Sequence, residues 1–253
     1  MTQRWLAAPW TAPDAGTAMT TRGGGASRPP WDGLNLGDHV GDVAAAVAAN
    51  RAAFAERIGA APVYLRQVHG TRVVRVVAAD AQPGAPVHEA DASVTTQRGV
   101  ACTVLVADCL PVLLAAPGGV AAAHAGWRGL AGGVVDAALA ALCDAAGCAP
   151  GEVRAWLGAC IGPRRFEVGA DVLLAFGVPP IGDGAAGFRP AATRGGAPRW
   201  LADLTALARE RLQALGVRDV SGAERCTVEE PSAFFSFRRD GVCGRMAAAV
   251  WLR

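Results

Sequence analysis

The stretch of sequence that decides the fold is residues 100–129, VACTVLVADCLPVLLAAPGGVAAAHAGWRG. It contains three short apolar runs of the kind that favours strands, at 100–106, 112–115 and 120–124. Pro117-Gly-Gly119 separates the last two runs and is typical of a turn, so we expect a hairpin with a three-residue loop. This hairpin would pair Val112 with His124 and bring Cys109 to the same end of the sheet.

Segments on both sides of this stretch give weaker signals of the same kind. Short apolar runs predict further strands at 63–68, 73–77, 92–95, 153–157, 217–220 and 247–252, the last returning to the central sheet. Apolar residues at helical spacing predict helices between Asp42 as N-cap and Gly59, between Gly129 and Gly147, over 167–176 and over 201–215. Glycine and proline predict loops at 1–36 and 177–198.

The order of these elements indicates a layered architecture. Strands and helices are mixed without the strict alternation of a dinucleotide-binding fold, so we predict α+β or layered α/β. A chain of 253 residues can close one hydrophobic core, and no second balanced core follows the 177–198 loop. We therefore expect a single domain over 1–253.

Composition excludes several classes of partner. With 52% hydrophobic and 18% charged residues, the chain should be globular, and a net charge of +2 is too small to suggest a nucleic-acid partner. No run approaches the roughly 18 to 20 apolar residues of a membrane span. The first ten residues contain no apolar stretch of signal-peptide length, so we expect a cytoplasmic protein whose seven cysteines are reduced thiols.

All 24 basic residues are arginine. The absence of lysine excludes a Schiff-base lysine, a lysine-anchored pyridoxal phosphate and a P-loop lysine. Any anion site must therefore use arginine side chains, backbone amides or helix N-termini.

Two of the four histidines and one cysteine stand in unusual settings. His69 precedes a glycine between two apolar runs, and His124 ends a run before a glycine-punctuated turn. Cys109 follows the end of a strand and is close to Pro111. A thiol and an imidazole at neighbouring strand ends could be a nucleophilic pair or two metal ligands. His69 would complete two nitrogens and one sulfur, the ligand number of a catalytic zinc site with one open position.

A series of motifs resembles, in this order, those of a known family. They are Thr21-Arg-Gly-Gly24, Asn35-Leu-Gly37, Asn50-Arg51, Gln67-Val-His-Gly70, Ala90-Asp-Ala-Ser-Val-Thr95, Ala107-Asp-Cys-Leu-Pro-Val112, His124-Ala-Gly-Trp-Arg-Gly129, Gly158-Ala-Cys-Ile-Gly162, Glu167-Val-Gly169, Cys226-Thr227 and Phe234-Phe-Ser-Phe-Arg-Arg-Asp-Gly241. The chain resembles the peptidoglycan editing factors and purine nucleoside phosphorylases, once described as multicopper polyphenol oxidases or laccase-domain proteins. Phe237 departs from the pattern, since the family often has tyrosine there.

The resemblance implies a fold, a metal and an activity. The fold is α+β, with two sheets sandwiched between helices, similar to a toxin deamidase that has a cysteine–histidine pair. His69, Cys109 and His124 would be the zinc ligands, with one Zn²⁺ per chain. The activity would be phosphorolysis of adenosine, inosine, guanosine or S-methyl-5'-thioadenosine, together with adenosine deamination. This activity would serve peptidoglycan editing.

These reactions need further residues beside the metal ligands. Deamination suits an open zinc position, because zinc lowers the pKa of a bound water to about 7, and Asp108 or Asp91 would be the acid/base partner. Phosphorolysis needs an anion pocket, for which the motifs offer Arg22, Arg51 and Arg128. Asn35 and Gln67 are further candidates for substrate binding.

Two other functions compete with this one. Cys109 could be the nucleophile of an amide hydrolase acting on a peptidoglycan precursor, which should stay active after metal removal. The chain could also be a nucleoside-binding module without chemistry. A true multicopper oxidase is excluded because four histidines cannot fill its copper centres, although one copper could replace zinc. We expect a monomer.

Overall fold

The computed structural model describes residues 5–10, 14–181 and 185–253. Its strands are β1 (Ala15–Met19), β2 (Ala61–Val63), β3 (Val73–Arg75), β4 (Ala92–Thr95), β5 (Val100–Val106), β6 (Leu110–Ala116), β7 (Gly119–Ala125), β8 (Arg154–Leu157), β9 (Glu167–Val168), β10 (Phe188–Arg194), β11 (Ala197–Ala202), β12 (Asp219–Gly222) and β13 (Met246–Leu252). Its α-helices are α1 (Ala44–Ile58), α2 (Trp127–Gly132), α3 (Val134–Ala146), α4 (Ala170–Ala175), α5 (Leu204–Ala214) and α6 (Phe237–Asp240).

Two sheets form the centre of the molecule. The first has four strands in the order β1-β13-β5-β2, and the second has six in the order β12-β8-β6-β7-β4-β3. A small third sheet, in the order β10-β11-β9, is not hydrogen-bonded to either of them. The last strand, β13, pairs with both β1 and β5, which confirms that the C-terminal run returns to a central position.

The layers follow from the alternation of side chains along the strands. In β5, Cys102 and Val104 belong to the core between the two sheets, whereas Ala101 and Leu105 pack with residues of α1 on the outer face. The outer face of the six-stranded sheet is covered by α3 and α5. The order of layers is therefore helix, sheet, sheet, helix, and the α+β prediction is confirmed.

The central hairpin forms with a register that differs from the predicted one. Ala116 pairs with Gly119, so the loop has two residues rather than three, and His124 pairs with Pro111 instead of Val112. Gly118 has a φ of 80°, which suits glycine in a tight turn. A shift of one residue exchanges the two faces of a strand, so the observed register puts His124 on the face of Leu113 and Ala122, between the sheets.

Other predicted elements were wrong in extent or type. Residues 167–176, predicted as one helix, form β9 and α4 on either side of Gly169. The predicted 177–198 loop contains β10 and the start of β11, and its residues 182–184 lie outside the described part of the chain. The predicted N-terminal loop contains β1. The prediction for residues 1–4 and 11–13 also falls outside the described residues.

Two helices also begin or break at other residues than expected. The N-cap of α1 is Val43, because the carboxylate of Asp42 accepts hydrogen bonds from Ser27 and Asn35. The helix expected between Gly129 and Gly147 is two helices, α2 and α3, separated at Gly133 with a φ of 100°. Among the described residues, no helix has the length and apolar character needed to cross a membrane.

Candidate metal centre

Three side chains with metal-binding atoms meet at one end of the six-stranded sheet. His69 lies in the loop before β3, Cys109 in the turn between β5 and β6, and His124 in β7. One ligand atom from each lies within 4.8 Å of the others, and Cys109 Sγ is 3.8 Å from His69 Nε2. His124 is buried, Cys109 is half-buried and His69 is exposed, so the cluster opens toward solvent at His69.

The buried carboxylate of Asp91 fixes two of these three residues. Its oxygens accept hydrogen bonds from the backbone N–H groups of Val68, His69 and Gly70, at 3.1, 2.9 and 2.7 Å. A fourth bond of 2.8 Å joins Asp91 Oδ1 to His124 Nδ1. Because a carboxylate only accepts, Nδ1 carries the proton and Nε2 of His124 is free to bind a metal.

These bonds also set the charge of Asp91. Burial raises the pKa of this carboxyl, but the hydrogen bonds from His124 and from Gly70 and Val68 outweigh it and hold the pKa below its usual value. Asp91 is therefore an ionised acceptor that orients the cluster. Both carboxylate oxygens of Asp91 already accept hydrogen bonds from His124 or from the backbone, so the geometry does not support the acid/base role suggested for it from the sequence.

The donor set fits a divalent metal of zinc type. Zinc bonds of about 2.3 Å to sulfur and 2.0–2.1 Å to nitrogen, in a tetrahedron, separate the two donors by about 3.6 Å. The observed Cys109–His69 separation of 3.8 Å is close to this value. Gly126 makes room beside the cluster, because a Cβ there would lie 2.9 Å from Cys109 Sγ and 3.0 Å from His69 Cδ2. The three donors, all within 4.8 Å of one another, thus lie near the spacing that a metal requires.

Without a metal, the thiol and the buried imidazole stabilise each other's charges. Burial raises the pKa of Cys109, but the charges and hydrogen bonds of His124 and His69 outweigh this and lower the pKa to about 6. Burial lowers the pKa of His124, and the thiolate and Asp91 outweigh it and raise the pKa to about 9. A thiolate at neutral pH is the form that either a metal or an electrophile requires.

Asp108, predicted as an acid/base residue, directs its carboxylate to other parts of the chain. Oδ1 accepts a bond of 2.6 Å from Thr227 Oγ1, and Oδ2 accepts one of 2.6 Å from the backbone N–H of Arg238. Burial raises its pKa against the effect of these bonds. Its backbone has a φ of 108°, a strained value for a residue other than glycine. Asp108 therefore joins the Cys109 turn to the C-terminal segment.

The cluster lines a cavity of about 350 Å³, which we call the metal cavity. Its walls are formed by His39, Gln67, His69, Leu105, Val106, Ala107, Cys109, His124, Phe237 and Arg245. Gln67, predicted to bind substrate, exchanges two bonds of 2.9 and 2.7 Å with the backbone of Leu105. The side-chain amide of Gln67 thus bonds the backbone of β5, and the same side chain forms part of the cavity wall.

The other residues predicted to contact substrate lie outside this cavity. Arg51 lines a neighbouring cavity of about 590 Å³, which we call the Arg51 cavity, and Arg22 lines a third. Arg128 is exposed and stacks on Trp127. Asn35 is buried, and its amide bonds Gly37, Asp42 and Arg245, which uses its full hydrogen-bonding capacity inside the protein. Their substrate contacts stay predictions.

Three charged, polar or aromatic residues of the metal cavity were not selected from the sequence as site residues. His39 lines both this cavity and the Arg51 cavity, Phe237 is 58% exposed, and Arg245 immediately precedes β13. A signal for Arg245 existed, because the last strand was expected to return to the central sheet and Arg245 stands at its start. The sequence could not show that this end of the strand faces the metal donors.

Comparisons with known proteins agree on one family. The chain is 46% identical over 252 residues to the purine nucleoside phosphorylase of Pseudomonas aeruginosa, with 98% of each chain covered. It is 43% identical to the purine nucleoside phosphorylase YfiH of Escherichia coli, with 96% of each covered. The crystal structure of a Neisseria meningitidis protein is similar with a TM-score of 0.87, at 46% identity and 99% coverage of both chains.

A family model matches residues 16–253, which is most of the chain. The resemblance inferred from the motifs is thereby confirmed. The chain belongs to the family described as multi-copper polyphenol oxidoreductase laccase, whose curated relatives here are named purine nucleoside phosphorylases.

Proposed function

We propose that this chain is a zinc-dependent purine nucleoside phosphorylase. The observation that carries the proposal is the cluster of His69, Cys109 and His124 in the wall of a cavity that is open at His69. The names of the relatives give the reaction class and the two substrates, a purine nucleoside and phosphate. The cavity supplies a place where both could meet.

Zinc is the proposed metal because of the chemistry of its donors. One thiolate and two imidazoles suit zinc better than magnesium or calcium, which prefer oxygen. The family description mentions several coppers, yet within the described residues one cluster of three donors was found, and the whole chain has four histidines. A metal held by these three residues supplies a Lewis acid with one open position.

The proposed reaction transfers a ribosyl group. An oxygen of phosphate forms a bond to C1' of the ribose, and the bond from C1' to N9 of the purine breaks. The electron pair of that bond leaves with the purine, which takes up one proton, and the products are ribose 1-phosphate and the free base.

Asp91 and Phe237 have proposed roles in positioning the donors and in binding the purine. Asp91 holds His124 and the backbone of His69 in place. The exposed ring of Phe237 offers an apolar surface for a purine, and base–aromatic stacking contributes about 1–3 kcal/mol per base in nucleic-acid complexes.

Product analysis tests this proposal. Zinc-loaded protein would be incubated with adenosine, inosine, guanosine or S-methyl-5'-thioadenosine, with and without phosphate. We expect free purine and the matching sugar 1-phosphate only when phosphate is present; the sugar product is ribose 1-phosphate from adenosine, inosine and guanosine, and 5-methylthioribose 1-phosphate from S-methyl-5'-thioadenosine. Inosine formed from adenosine would show the deamination that the resemblance implies. Absence of a sugar 1-phosphate from every nucleoside would contradict the proposal.

An amide hydrolase remains the second candidate, favoured by one observation. The pKa of about 6 for Cys109 and its contact with His124 describe a thiolate that is nucleophilic without a metal. Removal of metal by a chelator separates the two candidates. The phosphorylase should lose its turnover, whereas a cysteine hydrolase should keep its activity toward an amide substrate such as a peptidoglycan precursor.

A further inference from the structure

Arg245 lines the metal cavity, although no motif pointed to it. We propose that Arg245 binds the phosphate co-substrate, an inference that rests on the proposed phosphorolysis. The phosphate would lie between the guanidinium and the metal donors, in the same cavity as the ribose carbon it attacks. Arg245 itself forms and breaks no covalent bond in this step.

The charges of the cavity favour an anion. Among the described residues, its wall contains the guanidinium of Arg245 and no aspartate or glutamate. In the part of the chain that the structure describes, no carboxylate forms an ion pair with Arg245. Its Nη1 donates to the neutral carbonyl oxygens of Cys243 and Gly244, at 3.0 and 3.1 Å, and to the Cys243 thiol at 3.6 Å, and the guanidinium lies over the ring of Phe237, 5.8 Å from its centroid. Its positive charge is thus available to a ligand, with Nε and Nη2 as donors.

Two of the three arginines favoured by motif are paired with carboxylates, and the third, Arg128, is exposed outside the metal cavity. Arg22 Nη2 is 3.1 Å from Asp32 Oδ1, and Arg51 Nη1 is 3.2 Å from Asp38 Oδ2. Arg51 also donates from Nε to the carbonyl of Leu36. Phosphate binding at either residue would compete with an existing carboxylate. Arginine offers a planar fork that can bind two phosphate oxygens, and Arg245 can present it without this competition.

The stem of Arg245 is held in place before any ligand arrives. Its backbone N–H donates to Asn35 Oδ1 at 2.8 Å, and its carbonyl accepts from Leu36 at 3.0 Å. Gly37 makes room for the side chain, because a Cβ there would lie 2.7 Å from Arg245 Cγ. A side chain ordered in advance loses less entropy on binding. This explains the Asn35-Leu-Gly37 motif as a support for Arg245.

Kinetics and direct binding together test the proposal. The variants are Arg245→Gln, Arg245→Lys and, as a control, Arg75→Gln, since Arg75 is exposed on β3 outside the cavity. For each zinc-loaded protein we would measure the KM for phosphate, the KM for nucleoside, the zinc content and, by titration calorimetry, the affinity for inorganic phosphate. Thermal unfolding would show whether each variant is folded.

We expect Arg245→Gln to raise the phosphate KM about 10- to 100-fold, the effect of losing charge-assisted hydrogen bonds. The nucleoside KM and zinc content should not change, and Arg245→Lys should show a smaller rise because a point charge remains. Arg75→Gln should match the wild type. A folded Arg245→Gln with the wild-type phosphate KM would overturn the proposal; if that variant does not fold, an unchanged phosphate KM in Arg245→Lys overturns it.

The calorimetric experiment separates this inference from the proposed function. If the wild type turns over no nucleoside but binds phosphate, and Arg245→Gln does not bind it, the anion site stands and the phosphorylase assignment fails. If phosphorolysis proceeds and the variant binds phosphate as the wild type does, the assignment stands and the inference fails. A wild type that binds no phosphate contradicts both.

Discussion

The metal cavity and the Arg51 cavity lie side by side, share His39 and Gln67 in their walls, and differ in charge. The metal cavity has donors for a cation and no carboxylate in its wall. In the Arg51 cavity, the guanidinium of Arg51 pairs with Asp38 and stacks on the ring of Tyr64, 4.0 Å from its centroid. The first cavity can accept charged ligands, whereas in the second the charges of Arg51 and Asp38 already neutralise each other.

This difference shows what a motif can and cannot predict. Arg51 lies in a recognisable motif, and its type suggested an anion site, but a residue type does not show whether a charge has a partner within the protein. The partner of Arg51 is Asp38, which lies 13 positions away on a different segment and forms an ion pair with the guanidinium. The following predictions test the contrast between the two cavities, beginning with the largest expected effect.

Among changes that leave the three donors in place, Asp91→Asn should weaken metal binding most. The variant loses the charged acceptor of His124, and its amide N–H₂ cannot accept from the backbone of residues 68–70. Loss of such a partner typically lowers metal affinity 10- to 100-fold, and we expect an effect of about this size. Competition with a coloured chelator would measure it. An affinity equal to that of the wild type would refute the orienting role of Asp91.

Gly126→Ala should have the next largest effect on zinc. The added methyl group would press on Cys109 Sγ and the ring of His69, at 2.9 and 3.0 Å, and displace one of the donors. We expect a fall in zinc affinity of about 10-fold, comparable to that of a misplaced ligand. Gly151→Ala, in the turn before β8, is the matched control, because Gly151 has no positive φ and a Cβ there meets nothing closer than 3.8 Å. Equal zinc affinity in both variants would argue against the donor geometry.

Sequence reasoning succeeded where a strand was an unbroken run of β-branched or apolar residues. The bounds of 92–95 and 100–106 were predicted without error. It failed at β10 and β11, because Phe188–Arg194 and Ala197–Ala202 contain arginine and proline and show no apolar alternation. The hairpin register was missed because Gly118 and Gly119 are consecutive, and either length of turn was compatible with them.

The clustering of the three candidate donors could be predicted from the sequence, whereas the residues that support them could not. The three donors followed from residue type, strand ends and resemblance. The role of Asp91 depends on partners at 68–70 and at His124, more than 20 and more than 30 positions away along the chain. The pairing of β4 with β3 and with β7 brings these segments together, and no local pattern encodes that.

Arg51→Gln should alter stability more than substrate binding. The variant loses the stacking on Tyr64 and the bond to Leu36, and we expect a decrease of about 1–2 kcal/mol in the free energy of unfolding. Urea denaturation would measure this. The KM for phosphate should stay at the wild-type value. If it rose as far as in Arg245→Gln, the anion site would belong to the Arg51 cavity.

Asp38 should give the smallest effect, one that is present near neutral pH and disappears in acid. Its hydrogen bond with His39 and the charge of Arg51 lower its pKa to about 2 against the effect of burial. A depressed pKa in the folded state means that the stabilisation is present above the ordinary pKa of 3.8 and is lost as the pH falls through about 2. Because its side chain is 61% exposed, we expect no more than about 0.5 kcal/mol.

Denaturation of the wild type and Asp38→Asn between pH 5 and pH 2 would measure this difference. The two curves should be separated at pH 5 and converge as the pH approaches 2. Curves that run parallel over the whole range would show that Asp38 has an ordinary pKa in the folded protein.

Elemental analysis of zinc in the wild type, Cys109→Ala and Cys102→Ala tests the central claim most directly. Cys102 is a matched control because it is a buried thiol on β5 that lies outside the metal cavity. The wild type and Cys102→Ala should each bind one zinc per chain, and Cys109→Ala should bind none while remaining folded, since one small side chain in a turn contributes little to the core. A full equivalent of zinc in Cys109→Ala, or turnover by a wild type that contains no metal, would contradict the account.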